Sequence, residues 1–549
     1  MISLGIQNEE VTGGGPYFLR IHGGIYHNMG PLLPRDGVEP VYAQLYIYDT
    51  NEGCAFRMKK ASNMNCTESL MAELTEHITS INPYAQSFKS MYMAMQMKPQ
   101  VQRDTRMFIF NDRVNDPRRY NLPTTTDVAA VFESSDGGPP STERHILVHP
   151  FDGPVRTIST LSSVLDPLAY PLLFPLGDAG WYCGMQQSNP HTNIQKKISQ
   201  NKYAAYRLSV RRFPDILHLS GKLFLQWEVD LYVRVEAERL NYIRHHQVEL
   251  RRDMYANICD FVQNEAEQLN LQIGRMVVLP SSFSGSPRNM NERYQDAMSI
   301  VRHHGKPAIF ATFTCNPNWR EIKEQLCPSE AASFRPDIVA RVFHAKLKAL
   351  IEDIVKKKIF GAVAALIYTI EFQKRGLPHA HVLISLAAED KIGGIGDVDK
   401  FVSAEIPPEG DPLRDIVISH MVHGPCGTLG SQEKPSPSMD EKGVCKKEYP
   451  RDWAEETIQH SNGYPIYRRR NDGRCFVKSG KILDNRWVVP YNRYLLLKYN
   501  AHIKVEVCTT VKSVKYIYKY IYKGYDACTV VLESVNYDEI QSFLNARYV

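Results

Sequence analysis

The stretch Glu371-Phe372-Gln373-Lys374-Arg375-Gly376-Leu377-Pro378-His379-Ala380-His381 joins two β-like runs, Val363 to Gln373 and His379 to Leu386. Lys374 through Pro378 reads as a turn, so the runs pair as a hairpin. Residues i and i+2 of a strand face one side, which projects His379 and His381 together, about 7 Å apart along the strand. The pairing lays Glu371 and Gln373 beside them, and either can add an oxygen ligand. Two imidazoles and an oxygen donor, with open positions, suit Mg²⁺ or Mn²⁺ bound to a phosphate. A bare His-x-His on its own is more often an ordinary polar strand face.

Upstream, Ala308 to Cys315 alternates as a strand, with Thr312 and Thr314 on one face. It lies between helical text at Asn291 to His304 and at Ile338 to Lys357. Asn316 and Trp319 follow at the strand end, where a nucleotide can stack or hydrogen-bond. Earlier still, Lys222 to Gln272 is long and helical, and PSSFSGSP (280–287) breaks it. The first 115 residues mix β-like runs, Pro40 to Tyr48 and Met107 to Phe110, with a helical stretch from Cys66 to Ile81. Residues 116–145 are rich in turn formers.

Downstream, residues 396–480 are rich in Gly, Pro, Ser and charge and read as an insertion. Within it His420, His423, Cys426, Cys445 and Cys475 offer donors for zinc. The spacing His423-x2-Cys426 suits a site, although no second close pair completes it. Residues 486–525 return to β-like and then helical text.

The segment Val511-Lys512-Ser513-Val514-Lys515-Tyr516-Ile517-Tyr518-Lys519-Tyr520-Ile521-Tyr522-Lys523-Gly524 has helical spacing. On a helix, Val511, Val514, Ile517, Tyr518, Ile521 and Tyr522 form an apolar stripe. Tyr516 and Tyr520 stack one turn apart beside Lys512, Lys515, Lys519 and Lys523. A phenol is a poor nucleophile at its usual pKa. Neighbouring ammonium groups favour the phenolate and hold a phosphodiester. The same text also fits a plain amphipathic helix packed on a sheet.

Composition bounds these readings. The chain has 549 residues, 43% hydrophobic and 23% charged, with net charge +5. That is ordinary globular usage with room for several domains. The balance permits a nucleic-acid partner without demanding one, so a basic surface must be local. Eleven cysteines, an odd and scattered number, are no disulfide framework. The N-terminal text lacks a secretory pattern, and no apolar run reaches membrane length.

Taken together, FATFTCNPNW (310–319), EFQKRGLPHAH (371–381) and VKYIYKYIYKG (514–524), in that order, resemble the Rep nuclease of Helitron rolling-circle transposases. Similar text lies at GGIYHNMGPLLP (23–34), AQLYIYD (43–49), SPRNMNERYQDAM (286–298), HGPCG (423–427) and VVPYNRYLLLKYNAHIKVEVC (488–508). The resemblance implies an α+β fold with an HUH/Rep-type antiparallel sheet flanked by helices. An N-terminal mixed α/β region and a long helical segment would precede it. His379 and His381 would bind Mg²⁺ or Mn²⁺, with Glu371 as third ligand and Gln373 as second choice. Tyr516 or Tyr520 would attack single-stranded DNA at the transposon ends, leaving a 5′-phosphotyrosine. The other tyrosine would serve strand transfer, with Lys519 assisting. Asn316, Trp319, Lys512, Lys515 and Lys523 would contact DNA. Zinc at His423, Cys426 and Cys445 is weakened where relatives carry another cysteine and this chain has Ser436-Pro437-Ser438.

The expected divisions are an N-terminal DNA-recognition region, 1–145; a helical domain, 146–285; a first nuclease part, 286–395; the insertion, 396–485; and a second nuclease part with the tyrosines, 486–549. Relatives continue into a helicase. This sequence contains no G-x-x-x-x-G-K-[ST] loop, so a separate helicase would do any unwinding. The location implied by the family is nuclear. The competing expectation is a transposon remnant that binds single-stranded DNA without cutting it.

Overall fold

A computed structural model describes residues 1–9, 20–97, 105–110, 129–133, 145–149, 156–187, 196–212, 215–247, 249, 277–328, 330–372, 376–392, 394–424, 439, 444–459, 465–478, 480–508 and 538–545. The fold is mixed α+β, with several small antiparallel sheets. Two units divide the chain, Met1–Glu9 with Ile21–Tyr242, and Glu10–Arg20 with Ile243–Val549.

In the first unit, strands β1 (Ser3–Glu9) and β2 (Arg20–Met29) share a sheet with a short later strand, Arg156–Thr157. Helix α1 (Glu68–Ile81) covers the stretch expected from the sequence, and α2 (Pro83–Met97) follows it. Phe88, Met91 and Met95 of α2 are buried with Met107 and Ile109 of β3 (Thr105–Phe110). Pro40 to Tyr48 departs from its β-like reading, because Tyr42–Tyr46 forms a 3-10 turn. The Gln44 side chain explains this. It accepts from the Val41 backbone N–H at 2.9 Å and donates to the Pro31 carbonyl at 3.1 Å, a local closure that replaces a strand ladder.

Helix α3 (Lys222–His245) is the described part of the long helical segment; residues 250–276 lie outside the described residues. Trp227, Asp230 and Arg234 of α3 point into a buried polar centre. Arg234 donates to Asp166 at 2.7 Å, His27 lies 3.0 Å from Asp230, and the Tyr170 hydroxyl donates to Asp230 at 3.1 Å. Burial opposes ionisation of Asp230, but Arg234 and His27 outweigh it and hold the carboxyl below its usual range.

The second unit is built on four antiparallel strands: β4 (Ile309–Thr314), β5 (Val363–Phe372), β6 (Pro378–Leu386) and β7 (Ile503–Val507). Their order is β5-β6-β4-β7. Alternation decides the two faces. Ala311, Phe313, Ala380, Val382, Ile384, Ile503 and Val505 form one face, buried with Phe343, Leu347 and Leu350 of helix α4 (Pro336–Val355). Phe313 anchors this core, with its ring centroid 5.3 Å from Phe343 and 5.6 Å from Tyr499.

Helix α5 (Pro287–His304) covers part of the opposite face, packing Met290 and Ala297 with Phe310, Leu383 and Cys508. Ser286 caps it, accepting from the Asn289 N–H at 3.1 Å. Helix α6 (Arg493–Tyr499) precedes β7, where the sequence reads β-like text first. Asn492 starts it by accepting from the Leu495 N–H at 3.0 Å, and Asn500 ends it in the left-handed region at φ +44°.

Candidate functional site

The site lies on the polar face of the four-stranded sheet, beyond the part covered by α5. Pairing puts Glu371 opposite His379 and His379 opposite Thr314. One step along, Thr369, His381, Thr312 and Lys504 form a parallel row across all four strands. The hairpin register read from the sequence is thus the register of the fold. Gln373 lies outside the described residues.

Each imidazole meets a threonine hydroxyl from the neighbouring strand. Thr314 Oγ1 is 2.8 Å from His379 Nδ1, and Thr312 Oγ1 is 3.2 Å from His381 Nδ1. These contacts occupy both Nδ1 atoms, so a cation would bind through Nε2. The His379 Nε2 atom is buried and has no hydrogen-bond partner among the described residues. His381 Nε2 faces Glu371 Oε1 at 3.1 Å. Phe310 lies flat against the His381 ring, with centroids 5.9 Å apart and planes 6° apart.

Burial lowers the His379 pKa to about 4; the neighbouring His381 adds to the fall and Glu371 opposes it. A neutral imidazole is the form that ligates a cation. Two imidazole nitrogens and one carboxylate make a donor set that fits Mg²⁺ or Mn²⁺. Among the described residues, no three His, Cys, Asp or Glu side chains are already gathered around one point. Glu371 leans on His381 instead, so a bound cation would draw it away from that contact.

A third histidine joins this row, which the sequence reading passed over. His502, just before β7, has its Nδ1 3.4 Å from the same Thr314 hydroxyl. Burial, His379 and Lys504 together lower its pKa to about 4. Its signal was present in the alternation His502, Lys504, Glu506, which marks the polar face of β7.

Asn316 and Trp319 serve the strand end from inside. Asn316 Nδ2 donates to the Asn500 carbonyl at 2.8 Å, and its Oδ1 accepts from the Asn318 N–H at 2.9 Å. Trp319 is 4% exposed and donates through Nε1 to the Tyr499 carbonyl at 2.7 Å. In this arrangement neither side chain faces solvent, because closing the Asn316 to Arg320 turn onto α6 uses both.

Tyr516, Lys519 and Tyr520, with Lys512, Lys515 and Lys523, lie outside the described residues. So does Cys426. Of the zinc donors, His423 Nε2 and Cys445 Sγ meet at 3.4 Å, and Tyr449 stacks on the His423 ring at 4.5 Å. Burial lowers the His423 pKa to about 4, with Lys447 and Arg451 adding to the fall. His420 bonds instead to Asn500 Oδ1 at 3.1 Å, and Cys475 is exposed on a separate hairpin.

Residues 203–384 match the family model described as Helitron helicase-like domain at N-terminus. The matched segment runs through the α3 helix and the first three strands of the sheet. It contains Thr312, Thr314, Glu371, His379 and His381, so these residues lie within a segment similar to the Helitron helicase-like domain. No curated protein matches the chain. Among the described residues, no helix is long and apolar enough to cross a membrane.

Proposed function

We propose that this chain carries the HUH-type nicking-and-joining nuclease of a Helitron transposon protein, acting on single-stranded DNA at transposon ends. One observation carries the reading. His379, His381 and Glu371 share one sheet face inside the Helitron-like segment, each histidine braced at Nδ1 by a threonine.

His379 and His381 would hold Mg²⁺ or Mn²⁺ through Nε2, with Glu371 as the third ligand. When bound, the cation polarises the scissile phosphate and orients it. Tyr516 or Tyr520 attacks phosphorus. A phenolic O–P bond forms while the P–O3′ bond breaks. The phenolic proton is lost, and the departing 3′ oxygen takes one up as a hydroxyl. The second tyrosine takes the next strand end in the same way. Lys519 stabilises the developing charge, and Lys512, Lys515 and Lys523 hold the backbone. A separate helicase and a nuclear location belong to the same reading.

The test uses labelled single-stranded oligonucleotides with Mn²⁺ and a denaturing gel. A covalent adduct, absent when both Tyr516→Phe and Tyr520→Phe are introduced, is expected. Adduct that persists in the double variant overturns the assignment of nucleophiles. DNA bound without adduct in the wild-type chain overturns the reading as an enzyme.

A further inference from the structure

Two rows of side chains cross the four strands, and they end differently. One runs Thr369, His381, Thr312, Lys504. The other runs Glu371, His379, Thr314, and His502 completes it. The Thr314 N–H donates to the His502 carbonyl at 3.0 Å, which carries the β4–β7 pairing one residue past Ile503. The backbone leading to His502 is braced. Asn500 accepts from Asn316 Nδ2 through its carbonyl at 2.8 Å, and its Oδ1 meets His420 Nε2 at 3.1 Å. His502 Nδ1 is thereby held 3.4 Å from Thr314 Oγ1, while His379 Nδ1 lies 2.8 Å from the same oxygen. Lys504 holds the matching place in the first row. It carries donors only and is paired with Glu506 at 2.8 Å.

A hydroxyl between two imidazole nitrogens sets where their protons lie. It donates once and accepts through its lone pairs. With its O–H given to one ring, the other ring must donate to it. A neutral imidazole has a single N–H, so the bond at Nδ1 decides the state of Nε2. The choice between the two rings follows from burial. His379 Nε2 is buried and has no hydrogen-bond partner among the described residues. A proton there would be a buried N–H without an acceptor, which is costly. The His379 proton therefore sits on Nδ1 and is donated to Thr314, and the Thr314 O–H turns to His502 Nδ1. His381 Nε2, by contrast, already faces Glu371 Oε1 at 3.1 Å.

We propose that His502 is a positioning residue for the metal site: by accepting the Thr314 O–H it fixes the His379 proton on Nδ1 and keeps His379 Nε2 bare for a cation. His379 is then the ligand prepared in advance, since no proton has to leave Nε2 before a cation arrives. This rests on the proposed function for the cation, but the proton positions can be read without metal or DNA.

The experiment uses the full chain with isotope-labelled histidine, read by nitrogen NMR at neutral pH without metal. Signals are assigned by their loss in His379→Gln and His502→Asn. The proton should lie on Nδ1 of His379 and on Nε2 of His502. Mn²⁺ affinity is then measured by electron paramagnetic resonance. His502→Leu removes the acceptor and should weaken binding by about 10-fold. His502→Asn supplies an oxygen that can take the Thr314 O–H, and it should bind Mn²⁺ nearly as the wild type does. Leucine could loosen β7, so the asparagine variant and the wild-type proton positions test the relay independently. A wild-type His379 protonated at Nε2 would overturn it. So would equal losses in the two variants, which would give His502 another role, or no loss in either. A wild-type chain with the expected protons that binds Mn²⁺ yet forms no adduct with single-stranded DNA would remove the nuclease reading and keep the relay.

Discussion

Thr314 stands directly across from His379, its hydroxyl oxygen 2.8 Å from Nδ1, and the same hydroxyl reaches His502 at 3.4 Å. One small side chain thus orients one proposed ligand and links it to a third imidazole. Thr314→Val keeps the shape and removes the oxygen. Mn²⁺ affinity, read by electron paramagnetic resonance, should fall by about 10-fold or more with the melting temperature little changed. Unchanged affinity would show that the hydroxyl does not position His379.

Among the described residues, Glu371 brings a carboxylate to His381 and stands opposite His379. Glu371→Gln keeps an oxygen but removes the charge. We expect weaker Mn²⁺ binding, by about 10-fold, and unaltered circular dichroism. An equal affinity in both proteins would move the third ligand elsewhere, with Gln373 the next position to change.

Acid should weaken the second unit. His379, His423 and His502 each have a folded-state pKa of about 4 against an ordinary 6.5, with burial the largest cause. The unfolded chain therefore binds more protons between these values. Stability is full above pH 6.5 and is lost as pH falls towards 4. The melting temperature should drop by about 5 °C or more across that window. A flat profile would contradict the burial of these rings.

Phe313 ties the sheet to α4 and α6 through Phe343 and Tyr499. Phe313→Ala should cost about 3–5 kcal/mol in urea unfolding. Phe372→Ser, on the edge strand and 64% exposed, should change stability by less than about 0.5 kcal/mol. Equal costs would contradict the assignment of the two sheet faces.

In the first unit, Arg234 is buried between Asp166 and Asp230. Arg234→Met would leave two carboxylates facing each other without their shared cation. We expect a loss of about 3–5 kcal/mol, seen as early unfolding of the first unit. A loss under about 1 kcal/mol would mean the carboxyl groups take up protons at little cost.

Periodicity made the four-stranded sheet legible. Ala308 to Cys315, Val363 to Gln373 and His379 to Leu386 alternate strongly, and the strands fall within a residue or two of those bounds. Paired as a hairpin, the last two of these strands bring Glu371 to His379. Short-range hydrogen bonding was harder to see. Gln44 folds Pro40 to Tyr48 into a turn through two side-chain contacts, and no hydrophobic pattern announces them.

Tertiary closure also hid two residues. Trp319 reads as a stacking surface in the sequence, but its indole N–H is spent on the Tyr499 carbonyl, 180 positions away. His502 became part of the site only because β7 lies beside β4. The spacing of Tyr516 and Tyr520 remains a matter of sequence, as both lie outside the described residues.

The most direct test of the central claim is adduct formation on single-stranded DNA by the wild-type chain and by His379→Ala, each titrated with Mn²⁺ and with EDTA. The account predicts a metal-dependent wild-type adduct, mapped by mass spectrometry to Tyr516 or Tyr520, and none from His379→Ala at any Mn²⁺ concentration. Full adduct in EDTA, or from His379→Ala, would contradict it.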